Sequence, residues 1–393
     1  MKHRIVVLGA GYAGAFAAGT LARKLHPDDF QITVVNAEPD FVERLRLHQL
    51  AAGRPLRHRP LARVFAGTGI ELRVARVRAL DVERRTVTVA GQDGVDELGY
   101  DTLLYALGSS ADETVPGVAE HTFPVAARES ALGLRARLDK LADGGKVLVV
   151  GGNLTAIETV TELAEARPGL RVALATSGEL GGWLGASARG QLLRAVDRFG
   201  ITLHEHTTVA RVEPGAAIAA DGTALRADAI VWAAGFAVSP IAAASGLAVV
   251  PDGRIRVDRQ MRSVSHPEVY VAGDSVFVLG ENGLPLPMSC ASAGFTGMQA
   301  TAAIVGDRTG RSISTTALSY VGNHISLGRK DAIFQLVDGA AQARSWALRG
   351  RMAARIKAAI LDLSGWSVSH PTFGKLDRRY RAVTAPAPEM ALG

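Results

Sequence analysis

The sequence predicts an α/β protein built from two similarly wound units and a C-terminal α+β segment. Three observations predict it. A strand, glycine turn, helix and second strand open the chain; the same series returns at Lys146; and each copy is followed later by an apolar strand ending in a small-residue turn. In the first copy, Ile5-Val6-Val7-Leu8 meets Gly9-Ala10-Gly11-Tyr12-Ala13-Gly14, and an Ala-rich helical stretch continues to Leu25. His26-Pro27-Asp28-Asp29 ends that helix and Ile32 to Val35 supplies the next strand, which completes a βαβ unit. Gly9 allows the tight turn, Gly11 lets a pyrophosphate approach the backbone, and Gly14 lets helix and strand pack. The helix N-terminus offers its free N–H groups to the anion. With a strand before and a helix after, dinucleotide binding is the expectation, rather than a purely structural turn. Asn36 closes the second strand, where an acidic group normally holds the ribose; an amide makes that bond more weakly.

In the second copy, Lys146 to Val150 is the strand, Gly151-Gly152-Asn153-Leu154-Thr155-Ala156 the turn, Ile157 to Ala166 the helix, and Arg171 to Ala175 the next strand. The later apolar strands run from Tyr100 to Gly108 and from Asp228 to Gly235. The chain therefore reads as two Rossmann-like dinucleotide-binding domains, and hydride transfer between two bound rings is the simplest reason to hold them side by side. Asn153 replaces the middle glycine, as the residue that best tolerates a left-handed backbone after glycine, and Ala156 replaces the third. A domain that kept the fold and lost the ligand is the alternative. Thr176 ends the following strand, where a carboxylate would favour NAD; no arginine stands beside it, so the choice between NADH and NADPH stays open.

At 393 residues, 48% hydrophobic and 21% charged, the chain is large enough for two or three domains with their own cores. A formal charge of +6 without a long Lys/Arg run points away from nucleic acid. Its single cysteine, Cys290, removes an internal disulfide, a CxxC pair and a thiolate zinc cage, so redox chemistry falls to a bound cofactor and no metal site is expected. Met1 to Arg4 run straight into a strand, leaving no room for a signal peptide, and no apolar run reaches the roughly 18 residues of a spanning helix. The expectation is a cytoplasmic protein.

The first glycine turn, the stretch Tyr100-Asp101-Thr102-Leu103-Leu104-Tyr105-Ala106-Leu107-Gly108-Ser109, the second turn leading to Glu158, and His266-Pro267-Glu268-Val269-Tyr270-Val271-Ala272-Gly273-Asp274 carry a resemblance. Together they resemble the two-dinucleotide flavoproteins of the pyridine nucleotide oxidoreductase family and, within it, type II NADH dehydrogenases. The resemblance covers Arg4 to Leu363; the motifs are specific for the family and much less so for the electron acceptor. It implies a discontinuous FAD domain, residues 1–110 and 240–305, an inserted NAD(P)H domain at 111–239, and a C-terminal domain at 306–383. NAD(P)H would give hydride to flavin N5, and the reduced flavin would pass two electrons to an acceptor, most simply a quinone. FAD falls to Gly9, Gly11, Tyr12, Ala13, Gly14, Asn36, Ala106, Gly108, Gly273 and Asp274. NAD(P)H falls to Gly151, Gly152, Asn153, Ala156, Thr176 and Gly235.

Asp274 is a short acceptor suited to ribityl hydroxyls, or a helix N-cap. Glu158 is expected in the first turn of the second helix, facing the space between nicotinamide and flavin; interaction with the helix dipole is the plainer reading. Lys330 resembles a family position near the flavin pyrimidine, or is a solvated lysine. His48 lies in Phe41 to Gly53, a stretch that runs beneath the isoalloxazine in the family; here His48 and Gln49 stand where respiratory members tend to carry an aromatic and an acid. His48 would donate a proton to a reduced acceptor, or be a hydrogen-bonded structural residue.

The acceptor is the open question. Pro287, Ser289 and Ala293 match the family's quinone-pocket pattern, but Cys290 replaces an Ala and Ala291 a Gln, which puts ubiquinone-type and menaquinone-type substrates in question. From Gln342 to Leu363, Trp346, Ala347, Met352, Ile356, Ala359, Ile360 and Leu363 recur at mostly helical spacing among Arg344, Arg349, Arg351, Arg355 and Lys357. That is an amphipathic basic helix, for a membrane surface with Trp366 as an anchor, or for the domain core with solvated arginines. Thr384 to Gly393 reads as a frayed, disordered tail. Three readings follow: an NAD(P)H:quinone oxidoreductase peripheral to the inner face of a membrane, a soluble FAD-dependent oxidoreductase acting on a small metabolite, or a non-catalytic flavin-binding sensor. A homodimer is left open.

Overall fold

The structure, a computed structural model, describes residues 1–320, 322–338, 342–373 and 379–383; the expected tail lies outside them. β1 (His3–Leu8), α1 (Tyr12–Lys24), β2 (Phe30–Asn36), α2 (Leu47–Ala51), β3 (Ile70–Asp81), β4 (Thr86–Gly91), β5 (Gly94–Gly99) and β6 (Thr102–Tyr105) follow in order. β1 is central. It pairs in parallel with β2, Ile5 opposite Ile32, and with β6, Ile5 opposite Thr102. Covered on both faces, Ile5 to Leu8 are fully buried, which is why the run is continuously apolar rather than alternating. β3, β4 and β5 extend the far edge as an antiparallel meander.

The second unit repeats the plan with α3 (Arg128–Leu138), β7 (Lys146–Val150), α4 (Leu154–Ala166), β8 (Arg171–Ala175), α5 (Ala186–Arg198), β9 (Thr202–His204) and β10 (Ala229–Trp232). β7 lies between β8 and β10 as β1 lies between β2 and β6. Where the chain leaves and re-enters, Ser109–Ala111 and Phe236–Val238 pair antiparallel, so the two crossings run side by side. β11 (Val269–Val271) then joins the first sheet beside β6, Val269 opposite Leu103, and α6 (Cys290–Thr309) packs on α1.

The C-terminal part forms an antiparallel sheet of β12 (Gly322–Ser326), β13 (Ala332–Val337) and β14 (Ala343–Arg349), followed by α7 (Gly350–Ser369). The helix expected from Gln342 is thus corrected in its first third. Residues 343–349 pair with β13, Phe334 opposite Leu348, and Gly350, at φ +78°, turns the chain from strand into helix. Among the described residues no helix is long and apolar enough to cross a membrane.

Two main cores result. The first fills the β1 sheet, α1 and α6; the second fills the β7 sheet. Leu47, Leu50 and Ala51 of α2, which precede β3 in sequence, belong to the second core, as do Ile325, Leu327 and Ile333. α2 and the C-terminal sheet therefore clamp α4 from two sides, which sets the side chains described next.

Candidate active site

The first glycine turn is closed to side chains wherever protein faces it. A Cβ on Gly9, whose φ is +95°, would fall on the Ala106 carbonyl, and one on Gly14 on the Gly9 carbonyl. A Cβ on Gly11 would meet no protein atom within 4 Å, so the turn is open on that one face. Asn36 Oδ1 accepts the Ala10 N–H at 2.8 Å and its Nδ2 donates to the Glu38 carbonyl at 2.8 Å. Its amide therefore braces the turn. Tyr12 packs edge-on against Phe41, and Ala13 lies beneath Gly273, whose missing Cβ would sit 3.4 Å from the Ala13 methyl. The Gly273 N–H donates to Thr296 Oγ1 at 3.0 Å, which fastens β11's end to α6.

Asp274 accepts from Ser109 Oγ at 2.7 Å. Arg44 donates to the Ser109 carbonyl at 2.5 Å and to Ser109 Oγ at 3.1 Å, and its guanidinium lies 3.8 Å from Asp274. Burial pushes the Arg44 pKa down while Asp274 opposes it. Ser109 follows Gly108 directly; Arg44 has no local signal in the sequence.

The second turn has the same backbone with different occupants. Gly151, at φ +139°, would bring a Cβ to 2.6 Å from the Ala233 carbonyl, and one on Gly152 would fall on Thr176 Oγ1. Asn153 has φ −86° and ψ −179°, close to the −70° and −168° of Gly11. The left-handed rationale for Asn153 is corrected: its backbone is extended, which any residue adopts. Its side chain instead caps α4, Oδ1 accepting from the Ala156 N–H at 3.0 Å and Nδ2 donating to the Ala233 carbonyl at 2.9 Å. Ala156 is fully buried, Gly235 takes φ +79°, and the Thr176 N–H is bonded to the His204 carbonyl.

Glu158 is the fifth residue of α4, not in its first turn, so the dipole reading loses its ground. It is buried, accepts the Ser326 N–H at 2.9 Å and stands 2.9 Å from Lys357 Nζ, which also donates to the His324 carbonyl at 2.7 Å. Burial pushes the Glu158 carboxyl up, but Lys357, His48 and the Ser326 N–H outweigh it and hold the group below the usual carboxylate range. His48 on α2 is buried, its Nε2 without a hydrogen-bond partner among the described residues. Burial pushes its pKa down; Glu158 and Glu162 pull the other way and Lys357 and Arg46 reinforce the fall. Cys290 opens α6 at an accessible position.

The sequence pattern of the family described as pyridine nucleotide-disulphide oxidoreductase matches residues 3–304, well over half of the chain. The chain belongs to that family. It is 29% identical over 359 residues to an NADH dehydrogenase-like protein of Mycobacterium tuberculosis, a match covering 84% of this chain and 87% of the relative. It is 24% identical over 361 residues to demethylphylloquinone reductase of a Synechocystis strain, covering 84% and 86%. The fold is also that of the sulfide:quinone oxidoreductase of Aquifex aeolicus, with a TM-score of 0.80 at 22% identity over 94% of this chain and 92% of that one.

Like its family, this oxidoreductase uses FAD and NAD(P)H, and both turns fit a dinucleotide: each excludes a Cβ where protein packs, the first leaving Gly11 open and the second holding the Ala156 N–H with its own Asn153 cap. With one cysteine it holds no disulphide pair. The structure brings Glu158 and His48 together but leaves Lys330 out. Lys330 is exposed on the turn after β12, where Arg329 bonds Glu162 and Glu165 farther along α4. The buried cation beside Glu158 is Lys357, which the sequence placed only on the polar face of a helix. Among the described residues no cluster of His, Cys, Asp or Glu could hold a metal.

Proposed function

We propose that this oxidoreductase passes electrons from NAD(P)H through FAD to a quinone at a membrane surface. The observation that carries the reading is the buried Lys357–Glu158 pair, because Lys357 comes from α7, whose outer face exposes Met352, Ile356 and Leu363 with Trp346 of β14 and Trp366 nearby. One helix thus links the candidate site to a surface of aromatic and aliphatic side chains among Arg351 and Arg355, the composition that favours an anionic lipid interface. When bound, the two cofactors supply the hydride transfer and the two-electron step. The protein's part is to supply a proton. Reducing a quinone to a quinol consumes one proton beyond the hydride, and Lys357 Nζ, 2.9 Å from the ionised Glu158 Oε1, is the group that would supply it. His48, kept neutral by burial, shapes that pair rather than donating.

Anaerobic mixing of the FAD-loaded protein with NADH or NADPH tests the first half; bleaching of the flavin band is expected. Return of the band on adding a short-chain quinone supports the second half. A flavin that bleaches but is not reoxidised by quinone would favour a small soluble metabolite as acceptor, which is the reading that Ala291, in place of an amide, supports. No bleaching with either nucleotide would sink both.

A further inference from the structure

At the C-terminal end of α4, opposite the end that carries the glycine turn, the stretch after α2, one face of α3 and the turn after β12 border a cleft of about 770 Å³. Arg54, Arg135, Arg167 and Arg329 line it together with Glu165, and Asp139 and Glu162 stand beside it on Arg167 and Arg329. Two of the arginines are held. Arg167 donates to the Ala52 carbonyl and lies 2.5 Å from Asp139, and Arg329 donates from Nε to Glu162 and from its backbone N–H to Glu165. The other two are not. Arg135 reaches Asp139 only at 3.9 Å, and the Arg54 guanidinium has no hydrogen bond or ion pair among the described residues. A helix C-terminus attracts cations, which accounts for Arg167, the residue capping α4. It does not account for Arg54 and Arg135, which line the same cleft and leave four arginines there against Asp139, Glu162 and Glu165, an excess of positive charge that a bound anion would neutralise.

We propose that this cleft is a binding site for a compact polyanion carrying phosphate groups, separate from both dinucleotide cradles. Arg54 and Arg135 supply its uncommitted donors, and the planar fork of each suits two phosphate oxygens at once. The site does not depend on which acceptor the flavin serves.

The test is calorimetric titration of inorganic pyrophosphate into FAD-loaded protein with saturating NAD⁺, at constant ionic strength, so that both cradles are occupied. One site is expected, with affinity at least tenfold weaker in the double variant Arg54→Ala, Arg135→Gln and unchanged in Arg63→Gln, which removes an exposed charge elsewhere. Melting curves of both variants establish that they fold. Equal affinity in all three proteins, or no heat beyond that of chloride at matched ionic strength, overturns the proposal.

Discussion

Lys357 Nζ lies 2.9 Å from Glu158 Oε1 and joins the last long helix to the helix that follows the second glycine turn. Both side chains are largely buried, so neither charge is cheap without the other. Lys357→Met is expected to cost about 3–5 kcal/mol, as breaking one side of a buried pair does. It also inverts the pH dependence of stability. In the native protein the Glu158 pKa is depressed, so its contribution is present above the unfolded value and lost as pH falls through the folded one. Without Lys357, burial is left to dominate and raises that pKa; stability is then fully present below the unfolded carboxylate value and lost as pH rises from it through the raised folded one. Chemical denaturation of both proteins from about pH 3, below a normal carboxylate pKa, to about pH 8, well above it, measures it. Parallel pH profiles would show that the pair is not formed in solution.

How legible was this in the sequence? The parallel strands were, because a strand buried on both faces writes itself as a continuous apolar run: Lys146–Val150 and Arg171–Ala175 fall where the pattern puts them. β14 was not. Trp346, Ala347, Met352 and Ile356 fit a helical repeat, yet the strand pairing of 343–349 with β13 is a tertiary choice that periodicity does not carry. The same limit explains Lys357. A lysine on the polar face of an amphipathic helix has no local mark that a carboxylate far back in the chain will meet it, whereas Lys330, which had the more suggestive setting, ended on an exposed turn. Asn153 was noticed as a departure, but its meaning lay in a cap that only the folded turn displays.

Asn153 occupies donor capacity that a nucleotide pyrophosphate would otherwise use, since its Oδ1 holds the Ala156 N–H. Asn153→Gly frees that N–H and gives the second turn the open face that Gly11 gives the first. Losing the cap costs only a few tenths of a kcal/mol when glycine replaces it. The freed N–H, bonding a charged phosphate, adds about 1.5 kcal/mol, which is roughly tenfold in affinity. The concentration of NADH that gives half-maximal flavin reduction is therefore expected to fall about tenfold. A rise would mean that the amide itself contacts the nucleotide.

His324 packs its ring 3.9 Å from that of Phe334, and burial, followed by the charge of Lys357, pushes its pKa down to about 4 while Glu158 opposes. Its contribution is present above the ordinary imidazole value and lost as pH falls toward 4, because the unfolded chain takes up the proton first. The loss is on the order of 3 kcal/mol at most. His324→Phe, which needs no proton, is expected to flatten the stability profile between about pH 6.5 and 4. An unchanged slope in the variant would place the acid sensitivity elsewhere.

The two glycines of the first turn separate binding from folding. A Cβ at Gly14 falls on the Gly9 carbonyl, so Gly14→Ala must push α1 away from its strand, at a cost of about 1–3 kcal/mol or more. A Cβ at Gly11 meets no protein atom within 4 Å, and the φ of −70° there suits any residue. Gly11→Ala should fold about as well as the parent, the gain of about 0.4–1 kcal/mol from a less flexible unfolded chain being offset by the poorer fit of alanine at the N-cap of α1. Its methyl group, however, projects into the space through which a pyrophosphate reaches the helix N-terminus. The expected outcome is a protein that melts close to the parent in the absence of flavin, yet is purified with little FAD and takes up little when it is supplied. Full flavin content in Gly11→Ala would mean that the open face of the turn is not where the cofactor lies, and the assignment of the first cradle would fall with it.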